Sequence, residues 1–204
     1  MVDTAQGAGH VFDDIDDVDM IAFAGHKGLY GIGGAGGLIV KNNVELNPII
    51  FGGTGTASES LIQPKDVPEG FESGTLANIP IIALGAGVDY VSRNRHYIVE
   101  KEHRLNVAMY NMLKSLDFIR LYSNEDALGV YSFNVDGMDS SLVGDYLSEN
   151  FGVCTRAGLH CAPLIHQHLG TQQTGAVRVS IDSNNTIDDI KILEKALKSL
   201  YNKV

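Results

Sequence analysis

Lys27 stands in AFAGHKGLYG (residues 22–31), between a histidine and a glycine, just after an apolar run. A lone lysine is ordinarily a solvated surface residue. In a confined site it can lose its proton and form a Schiff base with a carbonyl group. Asp3 and Gln6 precede it, at the end of what reads as another strand. An acid in that position can pair with a pyridinium nitrogen, which is what an electron-sink cofactor needs. Cys161 lies in RAGLHCAPLIHQHLG (156–170), with His160 beside it, Arg156 nearby and a predicted helix starting at Pro163. Positive charge and a helix N-terminus both favour a thiolate. Arg178 interrupts the apolar AVRVSI (176–181). An arginine there is costly unless paired, so it is either half of a structural ion pair or a two-pronged clamp on a carboxylate.

Other motifs weigh less. Cys154, in the apolar FGVC run, reads as a small buried cysteine. Cys154, His160, Cys161, His166 and His168 cluster in sequence, but their spacing fits no standard zinc pattern, so no metal site is expected. GIGGAG (31–36) matches the dinucleotide-binding pattern literally. That pattern needs a following helix, and GLIV reads as a strand. These glycines are expected to let the backbone pass close to a neighbour or a ligand.

The elements that must position these residues fall into two regions. MIAFAG (20–25) and GGLIV (36–40) read as short buried strands, and Val2 as the tail of another. Residues 50–78 are glycine-rich with little periodicity, a long and functional loop. A packed helix is predicted over 79–93, with Pro80 in its first turn, and a second over about 95–116. FIRLYS (118–123) and VYSFNV (130–135) could pair, SSLVGDYLSEN (140–150) reads as a helix ending near Gly152, and AVRVSI as a strand. The last helix carries Thr186 and Asp189 in a capping arrangement and an apolar stripe of Ile190, Leu193, Leu197 and Leu200. The expected domains are 1–93 and a compact α+β unit over 94–204.

With 204 residues, 44% of them hydrophobic, the chain can bury a core. Its formal net charge of −10 argues against nucleic acid and anionic membranes as partners. No apolar run is long enough to span a bilayer, and two cysteines make no disulfide framework, so a reducing cytoplasm is the expected compartment.

Taken together, DTAQ (3–6), AGHK (24–27), FESGT (71–75), RAGLHCAPL (156–164) and VRVS (177–180) resemble the class V aminotransferase family, in its cysteine desulfurase and selenocysteine lyase branch. The resemblance covers nearly the whole chain. It implies an α/β fold, the C-terminal portion of a pyridoxal-phosphate-dependent transferase: part of the large-domain sheet plus the small α+β domain. It implies that Lys27 carries pyridoxal 5'-phosphate, that Asp3 holds its pyridinium nitrogen, Gln6 its ring oxygen and His26 its phosphate. Gly74 and Thr75 would reach the phosphate in the partner subunit of a homodimer. Arg178, with Arg156, would bind the carboxylate of L-cysteine or a related amino acid. Cys161 would take the sulfur as a persulfide, leave alanine, and pass the sulfur to an acceptor protein. Two departures stand out. Ala24 replaces a serine or threonine that donates to the phosphate, a loss of about 1.5–3 kcal/mol. The family's preceding half also has no counterpart here, so the chain looks like a C-terminal half with weak or no activity alone and apolar surface left open. The alternatives are another aminotransferase or lyase of the same fold, or a non-catalytic folded fragment.

Overall fold

The structure is a computed structural model that describes residues 1–11 and 15–203. It contains seven strands and four α-helices among those residues, divided into two units, Met1–Arg95 and His96–Val204.

The first unit is built on a three-stranded sheet. β1 (Val2–Asp3) runs parallel to β2 (Met20–Ala24), and β2 pairs antiparallel with β3 (Gly36–Val40). The register sets Asp3 beside Ala22 and Gly36 beside Ala24. β3 opens on two glycines for a steric reason. A β-carbon at Gly37 would lie 2.5 Å from the Phe23 ring, and one at Gly36 would lie 2.7 Å from the Phe23 carbonyl oxygen. The GIGGAG segment therefore serves close backbone approach and leads into a strand, not a nucleotide-binding helix.

The strands occur where the sequence places them, but their burial does not. Only Ile21 is buried in β2, while Leu38 and Ile39 of β3 are about half exposed, as is Val2 in β1. Alternation and apolar composition favour a strand; burial also requires a covering layer, and the described residues supply none over this face.

α1 (Asn78–Lys114) is one helix of 37 residues where the sequence reading divides it in two. The segment Arg93–Arg95 contains no glycine or proline, so nothing breaks the hydrogen-bond ladder there. Its first turns also lie open, with Ile79 and Ile82 more than 70% exposed.

The second unit has a four-stranded antiparallel sheet in the order β4-β5-β7-β6: β4 (Ile119–Leu121), β5 (Val130–Val135), β6 (Arg156–Gly158) and β7 (Ala176–Ser180). Its burial follows the strand period. Tyr131, Phe133 and Val135 of β5 are buried, and Ser132 and Asn134 take the other face. α2 (Ser140–Phe151) and α4 (Ile187–Tyr201) contribute Val143, Leu147, Ile190, Leu193 and Leu197 to the core, with Leu105, Met109 and Leu113 from α1. The ends are capped as the sequence predicts. Asp139 accepts from the Ser141 amide, Gly152 closes α2 at φ 65°, and Thr186 and Asp189 form a full capping box. α3 (Pro163–Leu169) is a short helix beginning at its proline. No described helix is long and apolar enough to cross a membrane.

Candidate active site

In the first unit, the chemistry-bearing residues follow the C-terminal ends of two parallel strands. Asp3 ends β1, and its carboxylate accepts the Ala5 amide at 2.8 Å, so the chain turns directly after the strand. Gln6 follows in that turn. Thr4 ties it to β2 by donating from both its amide and its hydroxyl to the Ala22 carbonyl, at 2.8 and 3.0 Å. His26 and Lys27 sit in the turn after β2, both exposed. Ligand sites of open α/β sheets lie at this end of the strands.

What fixes the Lys27 turn is backbone contact. The Gly31 amide donates to the Gly25 carbonyl at 2.8 Å, and the Tyr30 amide to the Lys27 carbonyl at 2.9 Å. A β-carbon at Gly28 would lie 2.4 Å from the Ala8 carbonyl oxygen, and one at Gly9 only 2.0 Å from the Gly28 oxygen. The turn after β1 thus presses on the turn after β2 with no side chain between them. On another side, a β-carbon at Gly87 of α1 would lie 2.1 Å from the Leu29 oxygen, and Tyr90 meets Tyr30 edge-on at 5.4 Å. These contacts were not foreseen from sequence; an unexplained glycine in each segment was the only signal. Gly74 and Thr75 are exposed on the long loop, where the Gly74 amide donates to Gly53 at 2.8 Å and Gly74 takes φ 89°.

In the second unit, Arg156 and Arg178 are directly opposite each other on β6 and β7. Like charges in that position destabilise a sheet unless an anion joins them. The Arg178 Nε is buried and has no hydrogen-bond partner among the described residues. Past β6 the chain turns over Leu159–Ala162, closed by the Ala162 amide donating to the Leu159 carbonyl at 2.8 Å. Both central residues are left-handed, His160 at φ 53° and Cys161 at φ 59°. This turn brings the Cys161 Sγ to 3.4 Å from a terminal nitrogen of Arg156. The His160 Nε2 donates to the Arg156 carbonyl at 3.0 Å. Burial holds the His160 imidazole below its ordinary pKa against the opposing effect of its bond to the Arg156 carbonyl, and the nearby charges of Arg178, His166 and Arg156 add to the lowering. Both cysteines are free and exposed. For Cys154 this corrects the sequence reading: the FGVC run leaves the helix after Gly152, and the cysteine faces outward. Among the described residues no group of three His, Cys, Asp or Glu side chains could hold a metal ion.

Residues 1–193 match the family model described as aminotransferase class-V. The chain belongs to the class-V aminotransferase family. This class-V chain is 36% identical, over 162 residues, to a probable cysteine desulfurase of Methanothermobacter thermautotrophicus, covering 76% of this chain and 40% of that protein. It is 34% identical over 162 residues to a cysteine desulfurase of Shigella flexneri, covering 77% of this chain and 39% of the relative. Among solved structures, an apo cysteine desulfurase from Thermococcus onnurineus NA1 superposes on all of this chain with a TM-score of 0.87 at 29% identity. The Escherichia coli cysteine desulfurase CsdA (S-sulfonic acid) does so with a TM-score of 0.86 at 27% identity. The class-V chain spans 52% of each of those two structures, and about two fifths of the two curated relatives.

Class-V aminotransferases depend on pyridoxal phosphate. The donor set of the first unit fits that group: a carboxylate ending β1, an amide in the next turn, and an imidazole and an amine in the turn after β2. Ala24, at the end of β2, brings no hydroxyl to this set.

Proposed function

We propose that this chain carries the residues of a pyridoxal-phosphate-dependent cysteine desulfurase, which converts L-cysteine to L-alanine and keeps the sulfur as a persulfide on Cys161. The observation that carries this reading is the contact of Cys161 with Arg156, itself opposite an Arg178 whose buried Nε lacks a protein acceptor. Transamination alone needs no thiol; desulfuration does.

Pyridoxal phosphate, when bound, supplies the electron sink that stabilises negative charge at the substrate Cα. Lys27 would hold its carbonyl carbon, Asp3 the ring nitrogen, Gln6 the ring oxygen and His26 the phosphate. Gly74 and Thr75 would serve the phosphate of a second copy in a homodimer. Arg178 and Arg156 take the substrate carboxylate, each able to offer two parallel N–H donors. An anion there also relieves the opposition of the two guanidinium groups. The Cys161 sulfur, held 3.4 Å from a terminal nitrogen of Arg156, attacks the substrate sulfur; the S–S bond forms as the substrate Cβ–S bond breaks, and the carbon that keeps its electron pair takes a proton to leave alanine. The exposed turn then delivers the persulfide to an acceptor protein. A reducing cytoplasm, where both thiols stay free, suits this chemistry.

The test is incubation with pyridoxal phosphate and L-cysteine, followed by alanine analysis and mass spectrometry of the Cys161 peptide. Borohydride reduction should label Lys27. A persulfide on Cys161, lost in Cys161→Ser together with alanine formation, is the expected result. Alanine formed equally well by Cys161→Ser, or a label away from Lys27, sinks the proposal. One observation favours a second reading, a non-catalytic module: Asp3, Gln6, His26 and Lys27 are all exposed, and Ala24 brings no hydroxyl to a phosphate. Absence of both label and alanine selects it.

A further inference from the structure

The contacts around Cys161 continue beyond Arg156. His160 meets the ring of His166 edge-on, with centroids 5.5 Å apart and planes at 61°. His166 is only 2% exposed, and its Nδ1 shares a 2.8 Å hydrogen bond with the hydroxyl of Thr171, which is itself buried. The Thr171 amide also donates to the His166 carbonyl at 2.9 Å. The side-chain bond fixes the His166 ring, and the backbone bond holds Thr171 in place at the end of α3. A ring so fixed is a rigid wall for whatever packs on it.

What packs on it is the imidazole that controls the cysteine turn. A carbonyl only accepts, so the bond to Arg156 places the proton of neutral His160 on Nε2 and defines its orientation. His160 and Cys161 both hold left-handed backbone, which residues with a β-carbon seldom adopt without support. Turning the His160 ring away would release the Arg156 carbonyl and, with it, the strand end from which the guanidinium reaches Sγ.

We propose that His166 and Thr171 are positioning residues for Cys161: by bracing the His160 ring they keep the left-handed turn closed and Sγ against the Arg156 guanidinium. The role rests on the reading of Cys161 as the sulfur-accepting thiol. A histidine that merely filled space beneath α3 would leave the Sγ surroundings unchanged when its hydrogen bond was removed.

The experiment is the rate of iodoacetamide alkylation of each cysteine in the native chain, followed by peptide mass spectrometry at neutral pH. Cys154, free and exposed on the far side of β6 in sequence, is the internal control. Thr171→Val keeps the shape and removes the hydroxyl; Thr171→Ser restores it. In Thr171→Val the Cys161 rate should fall roughly three- to tenfold, because Sγ is no longer held beside the Arg156 guanidinium. In Thr171→Ser it should stay within about twofold of the parent, and Cys154 should not change in either. An unchanged or faster Cys161 in Thr171→Val overturns the proposal, as does a parallel change at Cys154. If Thr171→Val does not fold, diethyl pyrocarbonate on the unaltered chain decides: exposed His168 should react and His166 should be spared, and early reaction of His166 overturns the bracing. Alkylation needs neither cofactor nor substrate. A chain that forms no persulfide therefore still tests the positioning, and persulfide formation with unchanged alkylation keeps the function while removing the brace.

Discussion

The two units hold themselves together by different means. In the second unit Tyr131, Phe133, Leu147, Val177 and Leu197 are fully buried in one continuous core. In the first, Ile21 and Val91 are the only hydrophobic side chains buried among the described residues, while Leu38, Ile39, Ile49, Phe51, Leu61 and Ile62 stand open. The first unit's order comes instead from main chain against main chain, through Gly9, Gly28, Gly31 and Gly87. Each mode suits the chemistry proposed for it. A Lys27 turn gripped by backbone leaves its side-chain face free for a ligand, whereas a Cys161 turn on a packed sheet can be braced by buried side chains.

Four substitutions would break or sharpen this contrast. Phe133→Ala should cost about 3–5 kcal/mol in denaturant unfolding, because it empties part of a closed core. Gly28→Ala should cost about 1–3 kcal/mol, since the added carbon meets backbone that cannot step aside. Its effect should concentrate in amide exchange over 25–31, and so in any cofactor label on Lys27. Equal exchange throughout the chain would mean that the glycine contact is not what holds the turn. Thr186→Ala should cost about 1 kcal/mol by removing one half of the capping box. Leu38→Ala should change stability by less than about 0.5 kcal/mol, as expected for an exposed site. A Leu38 effect approaching that of Phe133 would show the β3 face to be covered in solution, and light scattering would then report association.

The capping box also carries a pH dependence. The Thr186 amide, donating to the Asp189 carboxylate, holds that carboxyl below its ordinary value of 3.8. A lowered folded-state value contributes stability above the unfolded value and loses it as the pH falls through the folded one. Asp189→Asn should therefore be slightly destabilising at neutral pH and indistinguishable from the parent in strong acid. A difference that persists in acid would assign the effect to geometry and not to charge.

Much of the second unit was legible in the sequence because its signals are local. The alternation of VYSFNV, the glycine after Phe151, the proline opening α3 and the Thr186–Asp189 spacing each act within a few residues, through strand period or through unpaired amides at a helix end. The chemical residue types were legible for the same reason: an amine, a thiol and a guanidinium announce themselves. What only the tertiary structure decided depends on partners far along the chain. β3 is open although its residues are apolar, because burial belongs to the covering layer and not to the strand. Gly9 needs Gly28, and Gly87 needs Leu29, at distances in sequence that no local pattern encodes. Arg156 faces Arg178, and His166 meets His160 edge-on, because strand register and the α3 end bring them together. The sequence determined which groups are present and which elements carry them; three-dimensional packing alone determined which of them meet.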